Sequence, residues 1–416
     1  MVKRPLLHLL INKQQQHAFH SIITSSATRR NSHQSFHIVA THLDDANHTV
    51  KNILDIARWA PSGDNMQTWK FEIKSEKEFI VHANDTRDHC VYDLDGHGSH
   101  MGLGALLECI DIASKEFSMR AHFHAASQED EMKIRVSLSP MFNSSEEKDP
   151  LFQYLKERCV HRRMFKTTPL TGHEKQKLEE SVAKLGFKVL WFESFSERLE
   201  MAKLMFMNGQ LRLTCEEGFP THSSIIEWNS QFSSDKIPDM AVGLDPISTK
   251  LMKWALQSWS RVNFLNKYLG GSLLPGFQLD FLPGIACGAH FVFISQRPHS
   301  PVSTQDYIQV GRALQRFWLT ATQLDLRLQP ETTPIIFSNY VRHRIKFSKS
   351  EESLRKAKNI ERMLRDIVNG HPEAKHLSLD GTPLHEQIAF AGRVGHAEKP
   401  KARSLRKSLD ELLIKK

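Results

Sequence analysis

WAPSGDNMQTW, residues 59–69, sets a run of turn formers between two tryptophans. Upstream, Val50, Ile53, Leu54, Ala57 and Ala60 recur at three- and four-residue spacing, which predicts an amphipathic helix over 48–60 stopped by Pro61. Downstream, Trp69, Phe71 and Ile73 alternate with Lys70, Glu72 and Lys74, the period of a half-buried strand. The stretch therefore reads as a helix-to-strand connection, where rigid scaffolds display binding groups.

At 416 residues the chain has room for one large or two ordinary domains. It is 40% hydrophobic and 25% charged, a globular balance, and it lacks a run of about 18 apolar residues, so no membrane partner is expected. The five cysteines are scattered and form no C-x-x-C pair, which points to a reducing, cytoplasmic setting. The net charge of +8 allows anionic partners, but the arginines are clustered locally and no aromatic-interleaved basic stripe occurs. A phosphate on a small molecule fits that distribution, and a nucleic-acid partner is not expected.

Residues 1–43 contain no acidic residue and read as a tail, with the composition of a transit peptide as the alternative. Residues 44–150 read as a first unit: helix 48–60, strands near 69–75, 78–83 and 132–138, and a small-residue helix from about Gly102. The polar connection 140–150 marks a boundary to a second unit, 151–416. In that unit, a helix over 151–165 and a charged one over 172–185 precede an irregular stretch, 216–285, that reads as a lid-like insertion. The apolar strand AHFVFIS (289–295), a helix over 310–324 and a charged helical stretch over 340–369 follow.

Arg158 and Arg162 in ERCVHRRMF are four apart, which on a helix places two forked guanidiniums on one face, suited to a phosphate or to a solvated basic surface. Arg403 and Arg406 in KARSLRK form a second cluster, for which a charged tail is the plain alternative. His89, Cys90, His97 and His100 match no metal-ligand spacing, so no metal site is expected. Ser62 lies outside any G-x-S-x-G elbow and is not read as a nucleophile.

In combination these segments carry a resemblance. APSGDNMQTW resembles the A-P-S-x-x-N-x-Q-P-W signature of the FMN-dependent nitroreductase-like family, and RCVHRR resembles its phosphate-binding arginine segment. GRALQRFWLTATQLDLRLQPETTP resembles its Q-x-x-W-L helix and following loop. GRVGHAEKPKARSLR resembles the closing G-R-x-G…R-S-x-R of the long, two-half members associated with flavin sequestration or molybdopterin biosynthesis. Thr68, His161 and Asp325 depart from the pattern. The resemblance implies an α+β fold, a mixed sheet flanked by helices, with two related halves forming an internal pseudo-dimer that could dimerise further. It implies FMN as cofactor and NAD(P)H as electron donor, with a small electrophile as substrate and no catalytic side chain beyond the flavin. It further implies that Arg158, His161, Arg162, Arg403 and Arg406 hold the phosphate and that Ser62, Asn65 and Gln67 orient the ring. Gln329, Pro330 and Glu331 would offer backbone donors. The alternative it leaves open is a flavin-binding protein without turnover, or one in cofactor biosynthesis.

Overall fold

The computed structural model describes residues 46–126, 132–141, 148–297, 301–379 and 381–415, and the tail expected at 1–43 lies outside them. Helix α1, Ala46–Ala57, leads into the 59–69 connection. The first sheet comprises β1 (Trp69–Ser75), β2 (Glu78–Ala83), β3 (Met119–Ala125) and β4 (Lys133–Pro140), ordered β1-β2-β4-β3 and antiparallel throughout. One face is buried, as the alternation in WKFEIKS predicts. Phe71, Val81 and Val136 pack against Leu54 of α1 and Leu106 and Ile110 of α2, His97–Glu116, whereas Lys70 points to solvent.

The second sheet contains β5 (Phe187–Phe192), β6 (Ala289–Ser295), β7 (Leu326–Pro330) and β8 (Ile388–His396), ordered β5-β6-β8-β7 and again antiparallel. Every residue of β6 is buried because both of its faces are covered, which explains a continuous apolar strand without alternation. Phe291 and Phe293 meet α3 (Gly172–Ala183) and α7 (Thr304–Gln323) through Leu178, Leu314 and Phe317. Val292 and Ile294 face the core of α4 (Phe195–Thr214), α8 (Thr333–Arg342) and α9 (Glu351–Asn369). The sheets that the resemblance implies to be mixed are thus both antiparallel. The parallel pairs are two residues long: Ile226–Glu227 with Ile237–Pro238, and Phe232–Ser233 with Arg403–Ser404.

The two sheets share one plan: first, second, fourth, third strand, with a 20-residue helix between the second and third. Those helices, α2 and α7, pack on each other. Their backbones approach so closely that a Cβ at Gly104 would overlap the Ile308 carbonyl and one at Gly311 the Met101 carbonyl. Beside this crossing the buried Glu108 accepts from Arg312 (2.8 Å) and Arg316 (2.7 Å). The chain end returns to the first sheet, where Ile414 donates to Phe71 (2.8 Å) and Leu412 is buried in its core.

Two local readings are corrected. Residues 158–163 are extended, not helical: Val160 bridges Leu328 and the His161 N–H donates to the Leu328 carbonyl (3.0 Å), so sheet pairing along β7 overrides the helical spacing. The 216–285 stretch is largely helical and includes α5 (Pro246–Ala255) and α6 (Trp259–Leu269). Its many Trp, Phe and Pro residues occupy short helices, where no long period can show.

Candidate functional site

Pro61 ends the helical path, and the connection then takes a turn that L residues seldom adopt. Asp64, Asn65 and Gln67 have φ of 50°, 65° and 50°. Such strain persists only where neighbours over-determine it, and here they do. The Ser62 hydroxyl accepts from the Gln67 N–H (3.0 Å). The Gln67 side chain donates to the carbonyls of Asn65 (2.9 Å) and Ser234 (2.8 Å) and accepts from Lys407 N–H (2.9 Å). Gln67 is therefore a buried clasp, with its polar atoms spent inside the protein. Asn65 Nδ2 donates to the Lys236 carbonyl (3.2 Å), while its Oδ1 has no protein partner.

The same connection gathers arginines from distant segments. Arg158 stacks 4.4 Å over Trp318 and donates to the Trp59 carbonyl (3.1 Å). Arg406 donates to the Ala60 carbonyl (2.9 Å), and Arg403 lies over the Trp59 ring while donating to the Lys156 carbonyl (2.9 Å). Among the described residues none of the three has a carboxylate in ion-pair range. Burial, reinforced by Arg403, pulls Arg158 down to about 10. Burial and the charges of Arg158 and Arg403 push Arg406 well below its ordinary value. Three buried or half-buried cations with no anion are costly on their own and complementary to a phosphate-like ligand.

A second polar group faces them across the same space. Arg162 donates weakly to the Ala241 carbonyl (3.4 Å), and burial lowers it. Arg212, in the last turn of α4, lowers both Asp64 and Asp280 electrostatically, yet burial prevails, raising Asp64 and lifting Asp280 to about 6. Tyr92 and His222 are hydrogen-bonded at 2.9 Å, and burial holds His222 near 3, hence neutral. Glu331 is ion-paired to His290 (2.7 Å) and Arg393 (2.8 Å), all buried.

Apart from His290, these ionisable groups line one cavity of about 490 Å³, within the roughly 300–1,000 Å³ range of small-molecule sites. Its apolar walls include Met101, Leu314, Trp318 and Phe390, and the 216–285 segment contributes ten lining residues, among them Ile225, Val242, Met252 and Leu256. Of the residues singled out from sequence, Ser62, Asn65, Arg158, Arg162, Gln329, Pro330, Glu331, Arg403 and Arg406 line it. Gln67 and His161 do not. His161 packs edge-on to Phe165 with its ring nitrogen at the Met164 carbonyl (3.2 Å), because the extended chain turns it to the far side of β7 from Arg158 and Arg162.

The backbone-donor role expected of Gln329-Pro330-Glu331 is also revised. Pro330 has no N–H, and the Glu331 N–H donates to Ala391 (2.8 Å) as the strand continues. Thr332 and Thr333, at the start of α8, line the cavity instead, with the N–H groups that a helix leaves unpaired at its first turn. Sequence spacing missed Asp64, Tyr92, Arg212, His222, Asp280 and Thr332. Asp64 lay in the opening motif and Thr332 in the quoted loop, but Tyr92, Arg212, His222 and Asp280 belong to no motif and come together only in the fold. Among the described residues, no group of three His, Cys, Asp or Glu side chains could hold a metal ion.

No family model and no curated protein matches the chain. Among solved structures, the nitroreductase-like family protein from Bacillus cereus is similar over 64% of this chain and 96% of its own, at 10% identity and a TM-score of 0.28. A likeness at that level assigns no residue a role.

Proposed function

We propose that the chain is an FMN-dependent oxidoreductase that moves hydride equivalents from NADH or NADPH to a small electrophilic acceptor, with one flavin held in the cavity of a single chain. The observation that carries this reading is the set of arginines without a counter-ion, Arg158, Arg403 and Arg406, at the edge of an otherwise largely apolar cavity. A terminal monophosphate supplies the missing charge, and forked guanidiniums suit its oxygens. The lone acceptors Asn65 Oδ1 and Gln329 Oε1 match the polar edge of a flavin ring, and Trp318, Leu314 and Met101 match its apolar body.

When bound, the flavin supplies the two-electron chemistry, so the chain need not provide a nucleophile. Its residues bind, orient and exclude water. Ser62 and Gln67 lock the turn that presents Asn65, while Thr332 and Thr333 offer N–H donors. The shared strand order of the sheets supports reading the two halves as a duplication that builds this site between them. Titration with FMN and with riboflavin tests the proposal. The missing phosphate should weaken riboflavin about a hundredfold or more, since each charged hydrogen bond is worth roughly 1.5–3 kcal/mol. Equal affinity for both would remove the phosphate role from the arginines.

One observation favours a second reading, flavin storage without turnover: the 216–285 segment walls the cavity with ten side chains. The discriminating assay is NADPH oxidation by the FMN-loaded chain in the presence of a nitroaromatic or quinone acceptor. Turnover supports the oxidoreductase, and firmly bound but unreactive flavin supports storage.

A further inference from the structure

The outer side of the 246–279 segment carries a surface that the cavity does not explain. Nine of the sixteen strongly exposed large apolar side chains among the described residues fall within these 34 positions. Ile247, Leu251 and Trp254 recur on one side of α5 at helical spacing, 80%, 47% and 42% exposed. Met252 of the same helix and Leu256, just after its end, line the cavity. Helix α6 is stranger still, because none of its 11 residues is buried, although a helix in a globular protein normally buries an apolar stripe. Phe264 and Tyr268 contact each other on its exposed side (ring centroids 5.3 Å apart), and Leu273, packed against the Gly270 turn that ends the helix, is exposed as well. Arg261 joins the two helices by stacking 4.9 Å over Trp254 and donating to its carbonyl (3.1 Å).

Along these 34 positions the charge has one sign, and Asp245, just outside them, is spent on capping α5. Residues 246–279 contain Lys250, Lys253, Arg261 and Lys267 and no acidic residue. A second copy docked through the same face would set these cations against themselves. The sequence of residues 1–43, with five Lys or Arg and no acid, offers no complementary charge. Protein interfaces tend to exclude lysine from their apolar centres, whereas helices that lie in a lipid interface combine Lys and Arg with Trp, Phe and Leu.

We propose that this face docks the protein onto an anionic lipid bilayer, lying in the headgroup region with α5 and α6 against it. Among the described residues no helix is long and apolar enough to cross a membrane, and the contact proposed is a peripheral one. The proposal is independent of the flavin.

Flotation of the full-length protein with vesicles tests it, using phosphatidylcholine alone and phosphatidylcholine with about a third phosphatidylserine. The native chain should float with the anionic vesicles, weakly or not at all with the neutral ones, and detach at high salt. Lys250→Ala with Lys267→Ala should lower partitioning roughly thirty-fold, at about a fivefold loss for each cation near the surface. Ile247→Ser with Trp254→Ser and Phe264→Ser should abolish it at an unchanged melting temperature. All five positions lie outside the cavity lining. Equal flotation with both vesicle types, or binding that survives the serine substitutions, would overturn the proposal. So would concentration-dependent dimerisation lost through those substitutions, or tight capture of an acidic protein by a chain that ignores lipid.

Discussion

At the level of single residues, the cations at the cavity edge set affinity against stability. Arg158 is buried, unpaired and stacked on Trp318. Replacing it with Met keeps the apolar contact and removes an uncompensated charge. Arg158→Met should therefore weaken FMN roughly ten- to a hundredfold, the value of one charged hydrogen bond, without lowering the melting temperature of the flavin-free protein. Calorimetric titration and thermal unfolding of the same sample read both effects. The buried trio His290, Glu331 and Arg393 makes a second prediction. Burial disfavours a charged imidazole, but the Glu331 carboxylate at 2.7 Å outweighs it and raises His290 from 6.5 to about 10. A raised pKa means that the folded state holds the proton more tightly than the unfolded chain. Its stabilisation is complete below about pH 6.5 and lost as pH rises towards 10. Urea midpoints across that window should fall for the native protein and flatten for His290→Gln. The sequence already showed the arginine clusters and the 61–65 turn through residue type and spacing. It concealed Arg212, His222 and Asp280, because their effect comes from burial beside one another, with no shared motif.

At the level of elements, periodicity is readable wherever one environment extends along a whole element. WKFEIKS alternates because β1 has a wet face, and AHFVFIS runs apolar because β6 has none. Periodicity misleads at 158–163, where a helical spacing of arginines lies on a segment captured by the edge of β7. Both spacings bring residues 158 and 162 to the same side, since a separation of four satisfies a period of two as well as 3.6. That is why the cavity still receives both. The crossing of α2 and α7 is a packing feature with no sequence period at all. It depends on Gly104 and Gly311, each too close to the opposing backbone for a Cβ. Gly104→Val should cost at least about 1–3 kcal/mol in unfolding free energy and, by prising the helices apart beside Met101 and Ala105 of the cavity wall, should also weaken FMN. Full stability in Gly104→Val by chemical denaturation would show that the helices can separate at no cost.

At the level of the whole molecule, the cavity is assembled from parts far apart in the chain: the 59–69 connection, the 158–162 edge, the first turn of α8, the 216–285 wall and residues 403–406. The order of motifs is visible in sequence, but their convergence depends on how the wall segment folds and how the C-terminal residues return to the first sheet. On the function proposed above, one chain contains one complete FMN site. Titrating the flavin-stripped protein with FMN by visible absorption, with mass measured by sedimentation at the same concentrations, tests it directly. The expected result is saturation at one FMN per 416-residue chain, reached by the monomer as well as by any dimer. Failure to bind FMN, or saturation only in a dimer that shares its sites between chains, would contradict it.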